Sequence, residues 1–144
     1  MRVVITFSIS ILSLVFFSEV FAAAPTSDLR CFADKASQKT KLEMKVFFDE
    51  TSNWSGGYVK YGKNKPPISI VLQSTKTIDE NEGRPSTFQT VWLEIGANEV
   101  TGKYTTVTQG AKYYSLEYTG RKSNKTYKFD ESTIRDDTNQ SCKW

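Results

Sequence analysis

The strongest constraint on the fold of this chain is an alternation of apolar and polar residues that recurs along most of its length. Leu42, Met44, Val46 and Phe48, for example, are separated by single and mostly charged residues. A period of two places such residues on one face of a β-strand. Similar stretches, separated by turn-forming residues, lie at 58–61, 68–72, 89–95, 100–107, 112–119 and 126–129. Seven short strands with frequent turns predict an all-β fold, a single antiparallel meander barrel or sandwich of about seven to eight strands.

Two segments outside this pattern receive other predictions. Thr26 or Ser27 is a suitable N-cap, which predicts a short helix ending near Ala36. The segment between Leu72 and Phe88 is expected to be a long loop, and loops of that length without regular structure are usually functional or disordered.

The strands at 89–95 and 112–119 also predict which side chains face the core. In the first, we expect Val91, Leu93 and Ile95 to point inward. Their neighbours Thr90, Trp92 and Glu94 are expected on the polar outer face, where a charge is solvated. In the second, Tyr114, Leu116 and Tyr118 share the inward face.

The amino terminus has the pattern of a cleaved secretory signal. Met1 and Arg2 precede an apolar run from Val3 to Phe17, and the small residues Ala22-Ala23-Ala24 follow. We predict cleavage after Ala22, which leaves residues 23–144 as one domain. A membrane anchor is the alternative, but the run is short for the roughly 20 residues that a span needs. We therefore expect a periplasmic or secreted protein without a membrane partner.

The two cysteines predict one disulfide. Cys31 and Cys142 are the only thiols, and export brings them into an oxidising compartment. The loop of about 110 residues that the bond closes corresponds to a stabilisation of ~4–5 kcal/mol at most in the chain-entropy model.

Composition excludes most catalytic devices. The 144 residues include no histidine, so a Ser-His-Asp triad, a Cys-His dyad and a His-ligated metal are impossible. A hydrolase would need two carboxylates that flank a cleft, and the candidates are Asp49/Glu50, Glu94, Glu117, Asp130/Glu131 and Asp136/Asp137. Of these, Glu94 and Glu117 lie in the middle of predicted strands. Their predicted place on solvated faces argues against one, and we expect no enzyme, no cofactor and no metal. A formal net charge of +3 is too small for a nucleic-acid footprint.

Protein binding is the function class that these exclusions leave. Asp79, Glu80, Glu82 and Arg84 concentrate charge in the predicted long loop. Aromatic residues at predicted loops or polar faces are candidate anchors, because Trp and Tyr are enriched in binding hot spots. These candidates are Trp54, Trp92 and Tyr113, with Lys112 beside them. An exposed edge strand could equally support a homodimer.

The run Gln109-Gly110-Ala111-Lys112-Tyr113, together with the two terminal cysteines, is similar to the bacterial periplasmic C-type lysozyme inhibitors. The chain has Gln109 where that family carries Ser, and it lacks the Trp that follows in the family. The resemblance implies a small antiparallel barrel that pushes a loop into a muramidase active site, with Lys112 and its turn in the contact.

We therefore expect an exported inhibitor, either a periplasmic immunity protein or a lysozyme inhibitor. It would neutralise a cell-wall hydrolase or toxin by plugging its cleft. The alternative is a lipocalin- or avidin-like carrier of a small ligand, since eight strands just enclose one ligand. Large residues predicted to fill the interior weigh against that alternative, namely Phe48, Tyr104, Tyr114, Tyr118 and Phe129.

Overall fold

A computed structural model describes residues 24–80, 82–132 and 140–144 of the protein. Its regular structure consists of eight strands: β1 (Thr26–Asp34), β2 (Lys41–Asp49), β3 (Trp54–Lys60), β4 (Ile68–Asp79), β5 (Thr87–Gly96), β6 (Glu99–Gln109), β7 (Lys112–Gly120) and β8 (Thr126–Ser132). The predicted signal peptide, residues 1–22, lies outside the described residues. The described residues include no helix that is long and apolar enough to cross a membrane.

The eight strands form a closed antiparallel barrel. Each strand pairs with the next one in sequence, and β8 pairs with β1. The predicted all-β meander is confirmed. The prediction allowed a barrel or a sandwich, and the structure is a barrel. Alternate side chains from all eight strands meet inside, where they form one core: Phe32, Leu42, Met44, Val46, Val59, Ile70, Trp92, Tyr104, Leu116 and Phe129.

The predicted amino-terminal helix is wrong, because residues 26–34 form β1. This strand pairs with β2 from Thr26 to Ala33 and with β8 from Cys31 to Asp34. The capping preference on which the helix prediction rested is worth only about 1 kcal/mol. Two strand pairings, and the closure of a barrel that would otherwise have two free edges, outweigh it.

The predicted long loop is also mostly strand. β4 continues to Asp79 and β5 begins at Thr87, so the connection shrinks to residues 80–86. The extension carries polar residues on both faces and therefore lacks the alternation that identified the other strands. Threonines such as Thr75 and Thr77, which favour strands, are its local signal.

The inward face of β5 is the opposite of the predicted one. Trp92 and Glu94 are buried inside the barrel, whereas Val91, Leu93 and Ile95 lie half-buried on the outer wall. On that wall Leu93 pairs directly with Val71 of β4. Both faces of the strand can be covered, so the more hydrophobic one need not be the inner one.

A register shift in β7 corrects another prediction. Thr108 pairs with Tyr113 and Val107 with Ser115, so Tyr114 is an extra residue on β7. Such a bulge turns the next side chains to the opposite face. Tyr113 consequently points inward with Leu116, and Tyr114 is exposed.

The predicted disulfide is confirmed, since Cys31 and Cys142 are bonded. The bond holds the carboxyl-terminal segment against the outer wall of the barrel. There, the backbone N–H of Cys142 donates to Glu43 Oε2 over 2.8 Å, and Tyr58 donates to Glu43 Oε1 over 3.1 Å. These contacts keep Glu43 buried on an otherwise solvent-facing side of β2. The disulfide is compatible with an oxidising compartment.

The wall of the barrel differs in height around its circumference. The pairing of β3 with β4 ends at Val71, whereas β4 runs on to Asp79 with β5 as its partner. The eight residues 72–79 therefore continue beyond the last β3–β4 pair, over at most roughly 25 Å of strand at about 3.3 Å per residue. Two bulges and the charge of Lys76 lie along this free edge, and such features discourage pairing with another chain.

Candidate functional site

The two ends of the barrel carry different loops and differ in their interiors. At the first end, termed the open end, lie the connections 50–53, 80–86 and 110–111, and the high wall of β4 and β5 rises there. At the second, termed the filled end, lie the connections 35–40, 61–67, 97–98 and 121–125.

The open end leads into a cavity of about 350 Å³. Its lining consists of apolar and aromatic side chains and of hydroxyl-bearing residues: Phe48, Ser55, Leu72, Thr75, Phe88, Thr90, Trp92, Thr106, Thr108 and Tyr113. Phe48, Leu72 and Phe88 each remain 38–39% exposed. The large inward residues thus fill only the other half of the interior, and the expectation of a fully packed barrel is wrong at this end.

A charged cluster lies behind one wall of this cavity. The Arg30 guanidinium stacks on the Tyr113 ring, 5.0 Å from its centroid. Its Nε donates to both carboxylate oxygens of Asp28, over 2.9 and 3.0 Å, and one terminal nitrogen donates to Glu131 over 3.0 Å. Burial, followed by the Asp28 charge, raises the pKa of the Tyr113 hydroxyl to about 12. Tyr113 therefore lines the cavity as a neutral ring.

The rim of the open end joins the two segments that the sequence singled out separately. Gln109 Nε2 donates to the carbonyl of Pro85 over 2.9 Å, and Tyr114 donates to Gln109 Oε1 over 2.9 Å. Gly110, which has a φ of 56°, lies directly against Pro85. The 80–86 loop and the Gln109–Tyr113 turn are therefore one continuous piece of surface.

The filled end is organised around a buried carboxylate. Glu94, only 5% exposed, accepts hydrogen bonds from Tyr104, from Tyr118 over 3.0 Å and from Thr101 over 2.7 Å. Tyr61 and Tyr104 share a further hydrogen bond of 2.7 Å. The prediction that Glu94 is solvated is therefore wrong, and hydroxyl donors compensate its burial.

A glycine and a bulge in β6 make room for this cluster. Gly102 faces inward on β6, and a side chain at that position would come within 2.5 Å of the Tyr118 ring. A bulge brings Thr101 onto the same side, because Glu94 pairs with Gly102 and Ile95 with Val100. Burial is the main cause that raises the pKa of Tyr118 to about 12, with the Glu94 hydrogen bond next, and it also raises the pKa of Tyr104.

The connecting loops give the two ends opposite charge. Those of the open end contain three carboxylates, Glu50, Glu80 and Glu82, and one cation, Arg84. Those of the filled end contain seven cations and no carboxylate, the cations being Lys35, Lys39, Lys63, Lys65, Arg121, Lys122 and Lys125. The formal net charge of +3 conceals this polarity.

The predicted contact residues are divided between the rim and the interior. Asp79, Glu80, Glu82 and Arg84 are exposed at the tip of the high wall. Lys112 is exposed on the neighbouring strand, with its ammonium 4.7 Å from the centroid of the Tyr114 ring.

The three predicted aromatic anchors have different positions. Trp54 is 51% exposed on the outer wall near the open end, as expected of a surface anchor. Trp92 is 4% exposed inside the barrel, so its predicted surface position is wrong. Tyr113 also faces inward, because of the bulge at Tyr114.

Sequence reasoning missed the residues that make the cavity. Asp28 and Arg30, which support the Tyr113 ring from behind rather than line the cavity, alternate on one face of β1, and this period of two was the available signal. Leu72, Thr75 and Phe88 lay in or beside the segment assigned to a loop, so their shared orientation was not visible.

The structure separates the two mid-strand carboxylates that the sequence offered for a hydrolase. Glu117 pairs with Lys128 over 3.1 Å on the outer wall, while Glu94 is enclosed, so these carboxylates do not face each other across a cleft. Within the described ranges, no three carboxylate or cysteine side chains lie close enough to hold a metal ion.

No protein-family model matches this chain, and neither a curated protein nor a solved structure shows significant similarity to it.

Proposed function

We propose that this chain is an exported protein-binding inhibitor that acts in the periplasm on a cell-wall hydrolase or toxin. In that role it is a lysozyme inhibitor or an immunity protein. The observation that carries the proposal is the convergence of the acidic 80–86 loop and the Gln109–Tyr113 turn on one raised rim. Both segments are candidates on sequence grounds, and their contact supports a single interaction surface.

The shape of the rim suits insertion into a cleft. The β4–β5 hairpin stands above β3, and its tip carries Glu80, Glu82 and Arg84 in exposed positions. Its base is supported by β6, which pairs with β5 from Thr87 to Gly96 with one bulge. A raised hairpin on a rigid barrel loses little conformational freedom on binding, which favours affinity.

The charge of the rim suits a cationic partner. The tip carries a formal net charge of −2, from the three carboxylates Asp79, Glu80 and Glu82 and the single cation Arg84. Carboxylates that approach a cationic cleft accelerate association and make it sensitive to salt. Lys112 lies beside them, at the position that the resemblance to C-type lysozyme inhibitors places in the contact.

The test is binding and inhibition of a purified C-type lysozyme, measured by biolayer interferometry and by the clearing of a peptidoglycan suspension. The triple change Asp79→Ala, Glu80→Ala and Glu82→Ala is expected to weaken binding at least tenfold without loss of fold. A control triple, Glu99→Ala, Glu117→Ala and Asp130→Ala, removes the same charge elsewhere and should change affinity less than threefold.

Two results would count against the proposal. If both triples weaken binding equally, overall charge rather than the rim governs recognition. If 10 µM protein neither binds the lysozyme nor captures a wall hydrolase from periplasmic extract, the inhibitor function is rejected.

A further inference from the structure

Protein binding at the rim leaves the cavity at the open end without an assigned role. We propose that this cavity binds one uncharged, largely apolar small molecule that contains a planar ring and a few hydroxyl or carbonyl groups. The mouths of β-barrels are frequent positions for ligand sites, and a volume of about 350 Å³ falls within the ~300–1,000 Å³ that such sites occupy.

The apolar part of the ligand is inferred from side chains that remain exposed around the hollow. Phe48, Leu72 and Phe88 come from three different strands, yet each keeps 38–39% of its surface accessible and each lines the same cavity. Transfer of apolar surface out of water contributes about 25 cal/mol per Å². A ligand that binds among these side chains would bury apolar surface, and gain the corresponding free energy, on three sides.

The planar ring is inferred from the composition of the walls. Phe48, Phe88, Trp92 and Tyr113 contribute four aromatic rings to one cavity. Aromatic rings prefer offset-stacked or edge-to-face contacts with other rings, and such pairs add about 0.5–1.5 kcal/mol to the burial term. A flat ligand makes these contacts better than a flexible acyl chain does.

The polar groups of the ligand are inferred from the hydroxyls between the rings. Thr75 and Thr90 hydroxyls lie 3.2 Å apart, and the Thr106 hydroxyl donates to the carbonyl of Thr90 over 3.4 Å. A hydroxyl has one donor and two acceptor sites, so each retains capacity for a ligand after one such bond. Ser55 and Thr108 add two more hydroxyls to the lining.

The absence of charge on the ligand is inferred from the lining and from the cluster behind it. None of the ten lining residues is ionised at neutral pH. The Arg30 cation, which stacks on the outer side of the Tyr113 ring, is already paired with Asp28 and Glu131. An anion would find no unpaired partner there, and the acidic rim would repel it.

Neighbouring residues of β4 provide a matched test, because Leu72 lines the cavity while Val71 lies on the outer wall with similar exposure, 39% and 36%. The probe is the uncharged dye N-phenyl-1-naphthylamine, titrated with the mature protein and followed by its fluorescence. Saturation at one dye per barrel is expected. Leu72→Ala and Phe88→Ala should each weaken binding at least fivefold, and Val71→Ala less than twofold. Unfolding midpoints of all three variants verify that they remain folded.

The ligand class is tested by a second dye. The anionic 8-anilinonaphthalene-1-sulfonate should bind at least threefold more weakly than the uncharged dye. Tighter binding of the anion would refute the uncharged class. The absence of saturable binding, or an equal loss in Leu72→Ala and Val71→Ala, would refute the site. These measurements contain no lysozyme, so their failure is distinct from failure of the inhibitor function.

Discussion

The two ends of this barrel use the same types of residue for opposite purposes. At the filled end, Tyr104 and Tyr118 donate their hydroxyls to a buried carboxylate, and the rings close the interior. At the open end, Phe48 and Phe88 surround a hollow and remain partly in contact with water. Aromatic content alone therefore does not distinguish a core from a binding site. A core differs from a binding site in that polar partners and neighbouring rings complete the packing around its aromatic residues.

The largest expected difference between the ends lies in stability. Tyr104→Ala removes a fully buried ring from the filled end and should lower the free energy of unfolding by ~3–5 kcal/mol. Phe88→Ala at the open end should cost about 1 kcal/mol, because less of the Phe88 side chain is buried in the folded state. Urea denaturation followed by circular dichroism measures both. Equal costs would mean that the open end is as well packed as the other.

A single hydroxyl tests the carboxylate cluster more finely. Tyr118→Phe removes one of the donors to Glu94, and a lost hydrogen bond to a charged group corresponds to ~1.5–3 kcal/mol of unfolding free energy. Tyr114→Phe is the matched control, since its hydroxyl donates to Gln109 on the exposed rim. The control should cost less than about 0.5 kcal/mol. If the two variants are equally stable, the cluster does not stabilise the filled end.

The smallest effect is the pH dependence of the same cluster. The pKa of Tyr118 is raised to about 12 in the folded protein from an ordinary value near 10, mainly by burial. Between these values the folded state retains a proton that the unfolded state has lost, so stability falls as pH rises from 10 towards 12. Urea midpoints at pH 9, 10 and 11 should therefore decrease. Tyr118→Phe should decrease less steeply, and an identical slope would contradict this assignment.

The sequence predicted the architecture because most strands carry a strict alternation. Leu42, Met44, Val46 and Phe48 of β2 point inward as expected, and the Cys31–Cys142 bond forms. β1 and the extension of β4 escaped prediction for a different reason. Their strand state depends on pairing with other segments, the distant Phe129–Ser132 for β1 and the following Thr87–Val91 for the β4 extension, and local residue preference does not contain that information.

The site was predictable only in its exposed parts. Charged loop residues such as Glu80 and Glu82 stand out in any sequence, and they lie at the rim. The cavity depends on which face of β5 turns inward and on the bulge at Tyr114, and each is a one-residue difference that moves side chains to the opposite face. Trp92 was assigned to the surface because of the first of these differences.

The claim that the open end binds and the filled end stabilises can be tested by one mapping experiment. Backbone amide chemical shifts of the isotope-labelled protein would be recorded during titration with N-phenyl-1-naphthylamine. We predict shifts at the cavity walls, around Leu72, Phe88 and Tyr113, with residues near Tyr61 and Phe129 unchanged. The contrary result would be shifts concentrated in the smaller depression of about 260 Å³ at the filled end, beside Tyr61, Tyr127 and Phe129.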